Sequence, residues 1–419
     1  MTFPIDRVRA EFPALATTDT TTDAAPDGGA RPRIYFDAPG GTQACRAAIR
    51  RMAEHLERGS ANAGGAFASS VETDALSRAA HEAMADLLGG EADEIAFGPN
   101  MTTLTFSLSR ALARSWSEGD EIVLSRLDHD ANVTPWAMAA ADRGVTVKWI
   151  DIDLATGTLR LDTLPGLLGP RTRLVAVGGA SNALGTLNDV AEIVRLVRAG
   201  SDALVFVDAV QSVPHVPTDV RALGCDFLAC SPYKFFGPHQ GVLWGRAELM
   251  ERLTAYKVRP ASVSPPAIRF ETGTQSFEGQ AGVLGTIDYL EWLGRELGPS
   301  VPTSRRQALV AAMEGCVEYE RILGERLIAG LADVGATLYG PPTMEGRVPT
   351  FAFRIEGRDT HDIAAHLAAQ GIHAWSGHFY AVEPVTRYGL WDKGGFVRIG
   401  LCHYSTAEEV DQLIGALRS

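Results

Sequence analysis

From about residue 60 to 295, short runs apolar on both faces alternate with longer stretches of helical periodicity. The short runs are Ile95–Phe97, Glu121–Leu124, Val145–Ile152, Leu174–Val177, Leu204–Asp208, Phe227–Cys230 and Val242–Trp244. Strands buried on both faces by covering helices read this way, with no polar alternation. Helices are expected between them, such as Val71–Leu88 and Asp189–Ala199. The alternation predicts an α/β large domain with a mostly parallel seven-stranded sheet covered by helices. It breaks at GPSVPTSRR. Beyond it come a long helix over about 306–332, a strand near Phe351–Ile355, a helix near 360–370, a strand at Phe396–Gly400 and a closing helix over 406–418. This predicts a small α+β C-terminal domain.

At the other end, residues 5–12 have amphipathic helical spacing, with Ile5, Val8 and Phe12 toward one side. Residues 17–33 are rich in Thr, Asp, Gly and Pro and read as a mobile surface loop. The expected division is 1–34 (a helix and loop packed on the small domain), 35–297 (large domain) and 298–419 (small domain).

Composition narrows the partners. The formal net charge is -13, from 38 Lys and Arg against 51 Asp and Glu. That balance disfavours nucleic acid or an anionic membrane as main partner. No run approaches the ~20 apolar residues of a membrane span, and the N-terminus has no apolar signal core. Five scattered cysteines (Cys45, Cys225, Cys230, Cys316, Cys402) lack metal-ligand spacing and suit a reduced, cytoplasmic protein without a metal site.

Ligands of parallel sheets sit beyond the carboxyl ends of the strands, and polar residues collect there. Asp208 ends strand LVFVD and is followed by Gln211. Strand FLACS runs into Ser231, Tyr233 and Lys234, 26 residues after Asp208 and one strand–helix–strand unit away. An Asp that keeps a pyridine nitrogen protonated makes the ring an electron sink, and a Lys amine can carry an aldehyde cofactor as a Schiff base. Asn100, Met101 and Thr102 open a helix after strand IAF, where free amides and hydroxyls suit a phosphate. His129 and Asn182 each follow a strand, where an imidazole can stack on a cofactor ring and an amide can meet a cofactor oxygen or a substrate carboxylate. Taken singly, each of these also reads as a cap or a turn.

Together, LDHDANVTPW, GASNALGT, VDAVQSVPH, CSPYKFFGP and RFETGT resemble the class V aminotransferases, fold type I pyridoxal phosphate (PLP) enzymes, in their cysteine desulfurase and selenocysteine lyase branch. The resemblance runs from about Tyr35 to the C-terminus. It implies that Lys234 carries PLP, Asp208 pairs with the pyridine nitrogen, His129 stacks on the ring and Gln211 meets the phenolic oxygen. It further implies that Thr102 and Ser231 bind phosphate, that Thr274 reaches the phosphate of the other subunit of a homodimer, and that Arg398 clamps the carboxylate of an amino-acid substrate. The chain departs from the pattern in three places, one of them Trp375 where family members have a second arginine. Tyr233 replaces a histidine before the lysine. The loop that carries a sulfur-accepting cysteine in desulfurases reads Ala374-Trp375-Ser376-Gly377-His378-Phe379-Tyr380, without one.

The expected activity is therefore a carbon–sulfur lyase that cleaves the Cβ–S bond of cysteine or an S-substituted cysteine by β-elimination, with His378 or Tyr380 protonating the leaving group. A desulfurase using a non-standard thiol such as Cys402, or an epimerase or aminotransferase, are the alternatives.

Overall fold

The computed structural model describes residues 3–19, 31–298 and 302–419. Its large sheet has seven strands, in the order Ile95–Gly98, Gly241–Gly245, Phe227–Cys230, Leu204–Asp208, Thr172–Gly178, Glu121–Ser125 and Thr146–Ile150. All pairings are parallel except those of Gly241–Gly245, which is antiparallel to both neighbours. The strands are nearly all buried, as their unbroken apolar runs require. The expected strand Val145–Ile152 stops at Ile150, because Ile152–Asp153 turns away to pair with Thr158–Leu159.

Chain order reverses between Glu121–Ser125 and Thr172–Gly178: the next strand, Thr146–Ile150, lies outside the first and the following one inside. Such a reversal opens a crevice at the carboxyl ends of the two strands. Its rims are the segments carrying His129 and Asn182.

The second sheet is antiparallel, in the order Ala336–Tyr339, Thr350–Ile355, Phe396–Gly400 and Trp375–Gly377. Its core holds Leu323, Leu327, Phe351, Phe353, Ile399 and Leu413, packed against the helices Arg305–Asp333 and Ala407–Arg418. The last helix is fixed at its start by a capping box of Thr406 and Glu409. Two strands, Ala336–Tyr339 and Trp375–Gly377, escape the sequence pattern because they are short, partly exposed edges without a clear apolar repeat.

The N-terminal helix spans Ile5–Ala10 and buries Val8. Phe12 is buried just beyond it, against Phe236, Tyr289 and Tyr404. The loop expected over 17–33 is ordered at its ends, where Thr18–Asp19 pairs with Arg31–Pro32; its middle, 20–30, lies outside the described residues. Ile34–Tyr35 then pairs with Ile372–His373. Among the described residues no helix is long and apolar enough to cross a membrane.

Arg347 joins the small sheet to the large one. It is buried, and its guanidinium donates to the carbonyls of Leu184 (2.7 Å), Thr350 (2.6 Å), Tyr339 (3.1 Å) and Pro341. An Arg347→Met variant keeps the apolar stem but strands these acceptors. It is expected to lose about 3–5 kcal/mol of stability, read as a lower urea midpoint.

Candidate active site

A cavity lies beyond the carboxyl ends of the large sheet, lined by Asn100, Met101, Thr102, His129, Asn182, Asp208, Gln211, Ser231, Tyr233 and Lys234. Ten of the residues singled out in the sequence thus converge, although they span 134 positions from Asn100 to Lys234.

Register explains the central pair. Asp208, the last residue of its strand, lies beside Ala229 of the parallel neighbour, and Lys234 follows five positions later in a short 3-10 turn. Both are buried. Burial pushes the Asp208 carboxyl up to about 6, against the pull of the Val210 amide and of Lys234. Burial, with the nearby Arg398 charge, brings the Lys234 amine down to about 7, against Asp208 and Asp37. The amine donates to the carbonyl oxygen of Pro39 and lies 5.1 Å from the centre of the Tyr233 ring, which stacks on His239 at 4.8 Å.

The helix Met101–Ala113 points its N-terminus into the cavity. Asn100 caps it by accepting from the Thr103 amide at 2.8 Å, leaving the first amides of the helix without intrahelical partners. His129 accepts the Ala131 amide at Nδ1 (3.0 Å). Burial, reinforced by the charges of Lys234 and Arg398, brings its pKa down to about 3. The ring is therefore neutral, with its proton on Nε2.

Among the described residues, buried polar atoms around the cavity that lack a protein partner include Asn182 Oδ1, Gln211 Oε1, Arg398 Nε and Asp37 Oδ1. Stranded groups of this kind cost free energy unless a ligand meets them. Arg398 sits behind Asn182, donating to its main-chain oxygen at 3.0 Å, with the Phe379 ring 4.1 Å from the guanidinium.

Two expected residues lie elsewhere. Thr274 lines a separate open cleft with Asp74, Arg78, His81 and Lys257. His378 stacks on Trp391 at 5.2 Å and spends Nδ1 on the Tyr380 amide. Tyr380 stands at the mouth, 64% exposed, its ring 5.4 Å from His129.

The structure adds residues that the sequence did not single out. Asp128 is buried, accepts from Gly178 N (3.0 Å) and Asn132 Nδ2 (2.7 Å), and is pushed up to about 7 by burial. It thereby joins the His129 segment to the strand before Asn182. Asp37 is raised by burial beside Lys234 and Arg398, and Pro39 receives the lysine. A polar run after a strand was the available signal for both: Asp128 adjoins His129, and Asp37 opens DAPGG after Ile34–Tyr35.

The residues present fit PLP: a buried carboxylate for a ring nitrogen, a helix N-terminus with Thr102 and Ser231 for a phosphate, a buried amine with a lowered pKa for the aldehyde, and a Gln211 amide whose Thr350 hydroxyl partner lets it present Nε2–H to the phenolic oxygen.

Comparison with known proteins agrees with this chemistry. Residues 34–413 match the family model described as Aminotransferase class-V. A cysteine desulfurase of Klebsiella pneumoniae is 32% identical, the alignment covering 100% of this chain and 98% of the relative. The apo structure of a cysteine desulfurase from Thermococcus onnurineus superposes with a TM-score of 0.85 at 26% identity, covering 100% of this chain and 98% of that one. The cystine C–S lyase C-DES, 21% identical with a TM-score of 0.77 over 92% of this chain and 97% of its own, shares the fold. The buried lysine and aspartate at adjoining strand ends and the match along nearly the whole chain lead to one conclusion: this protein belongs to the class V aminotransferase family, as a PLP-dependent enzyme of its cysteine desulfurase-like branch.

Proposed function

We propose that the protein is a carbon–sulfur lyase that cleaves the Cβ–S bond of cysteine or an S-substituted cysteine by β-elimination. The observation that carries this reading is the burial of every thiol. All five cysteines are buried and unpaired, and burial pushes the Cys402 thiol well above its ordinary value. Taking sulfur as a persulfide needs an accessible thiolate. Elimination needs none, since the thiol leaves as product. Cys402 lies in the turn after Phe396–Gly400 rather than in the strand; it is fully buried and does not line the cavity.

When bound, PLP withdraws electrons from the substrate Cα, acidifying its proton and letting the β-substituent depart. The protein supplies the rest. Lys234, with a pKa near 7, is a base matched to taking that proton at neutral pH. Asp208 holds the ring nitrogen. Thr102, Ser231 and the helix amides hold the phosphate, and Gln211 the phenolic oxygen. Arg398 takes the substrate carboxylate. His129 serves as a flat, neutral stacking partner and Nε2–H donor, because its Nδ1 is committed to Ala131. Tyr380 at the mouth is better placed than His378 to protonate the leaving thiolate. The fold neighbour named a cystine C–S lyase offers a precedent for the reaction.

In this reading the chain divides at 34/35 and 297/298, and a second copy covers the cleft at Thr274, where Val258 exposes 68% of its surface. Thr274 then serves the phosphate of that copy. A reducing compartment, the cytoplasm, suits the unpaired thiols.

Product analysis tests the reaction. With L-cysteine and S-substituted cysteines, pyruvate together with free thiol or sulfide is expected. Alanine with sulfide would overturn elimination in favour of persulfide transfer; racemised substrate or a keto acid that retains its sulfur would point to the epimerase or aminotransferase alternatives. The lysine also makes a pH prediction. Only the neutral amine attacks an aldehyde, and burial has lowered its pKa, so that form is lost as pH falls through about 7. PLP uptake by apoprotein is expected to slow about tenfold per pH unit below that point and to level off above it. Absorbance traces across pH give the midpoint; one near 10 would show an unperturbed amine.

A further inference from the structure

We propose that Phe379 is the specificity-determining residue of this site, restricting it to amino acids with one carboxylate and an uncharged β-substituent. The inference rests on the PLP–amino-acid reading above and deepens it.

The Phe379 carbonyl accepts from Asn182 Nδ2 at 2.8 Å. A carbonyl only accepts, so the Asn182 amide cannot be turned round while this bond exists. Its oxygen, buried and without a partner, is the end offered to the cavity. Gln211 differs: its amide partner is the Thr350 hydroxyl, at 3.1 Å, which both donates and accepts and allows either orientation.

The Phe379 ring acts on the other recognition group. It covers one face of the Arg398 guanidinium at 4.1 Å. Nη1 is engaged by the Asn182 main-chain oxygen, while Nε has no partner. One in-plane edge remains, enough for one bidentate carboxylate.

Among the described residues around the clamp, a second anion on the substrate finds no uncommitted cation. Around the clamp stand the Asn182 oxygen and the buried Asp37 carboxylate, whose Oδ1 is also unpartnered. The aromatic faces of Phe379 and Tyr380 repel negative charge. Lys234 is committed to the cofactor in this reading, and Arg126, on the segment leading to His129, is paired with Glu383.

The wall is also held in place. Phe379 and Tyr380 are consecutive bulky residues in the left-handed region, at φ 54° and 57°. Such backbone persists where the surroundings over-determine it. Here both carbonyls are captured from the large-sheet side, Phe379 by Asn182 and Tyr380 by the Asp130 amide at 2.8 Å.

The test uses two ligands of the same size and shape, L-asparagine and L-aspartate, titrated into the holoenzyme. Perturbation of the bound-cofactor absorbance reads binding without turnover. L-Asparagine is expected to half-saturate at a concentration about tenfold or more below L-aspartate. In Phe379→Gly the backbone keeps its φ at no cost while the ring is lost, and the ratio is expected to fall at least about threefold, with thermal melting reporting that the fold is retained. Equal or tighter binding of L-aspartate to wild type, or an unchanged ratio in a folded Phe379→Gly, would overturn the proposal. If neither these ligands nor L-cysteine perturb a PLP-loaded protein, the amino-acid reading beneath it falls as well.

Discussion

Replacing Lys234 with alanine is expected to lower turnover by at least about four orders of magnitude and to abolish covalent retention of PLP. The residue is asked to do two things that no neighbour can share. It is the buried amine among the cavity-lining residues, so no second nucleophile can take the aldehyde. Its amine, near pKa 7, is also the base positioned for the Cα proton. The phosphate and ring-nitrogen partners remain in the variant, so the cofactor should still bind, but reversibly. Desalting followed by a visible spectrum separates covalent from reversible binding, and a pyruvate assay reports turnover. Lys234→Arg keeps a positive charge without a nucleophilic amine and should fail equally, which distinguishes chemistry from electrostatics. Activity within tenfold of wild type in either variant would remove Lys234 from the mechanism.

Arg398→Lys is expected to cost about 10- to 100-fold in kcat/KM, mostly through KM. The guanidinium is fixed on three sides, by Asn182, by the Phe379 ring and by burial in the strand Phe396–Gly400. A lysine ammonium is a point charge on a flexible stem and cannot make two parallel bonds to a carboxylate. It would also be buried next to Lys234, which favours its neutral form. Saturation kinetics with a thioether substrate give the split. A loss confined to kcat would mean that Arg398 acts on the transition state rather than on substrate binding.

Much of this site could be read from the chain because of how parallel sheets are built. Strands buried on both faces leave only their carboxyl-end loops free to be polar, so Asp208, Ser231, Lys234, His129 and Asn182 stood out as polar residues directly after apolar runs. What stayed hidden depends on contacts between segments distant in sequence. Asp37 and Pro39 reach Lys234 across nearly 200 positions. The Phe379 carbonyl finds Asn182 across 197. The edge strand Trp375–Gly377 looked like loop because one of its sides faces solvent. Similarly, the composition of 17–33 suggested a loop, but could not reveal that its two ends pair. His378 and Tyr380 are alternatives for the same role in sequence and their rings meet edge to face at 5.9 Å, but only the structure shows the imidazole stacked on Trp391 while Tyr380 stands beside His129.

The burial of the five thiols has a practical consequence. Cys230 ends a strand of the large sheet, Cys316 lies in a helix, and Cys45, Cys225 and Cys402 lie in the segments beside other elements, yet all five belong to one apolar cluster. A thiol reagent added to the native protein therefore has nothing to label until that cluster opens. The five sulfurs form a built-in clock for global unfolding, whose rate of modification measures how often the molecule opens as a whole rather than at its edges.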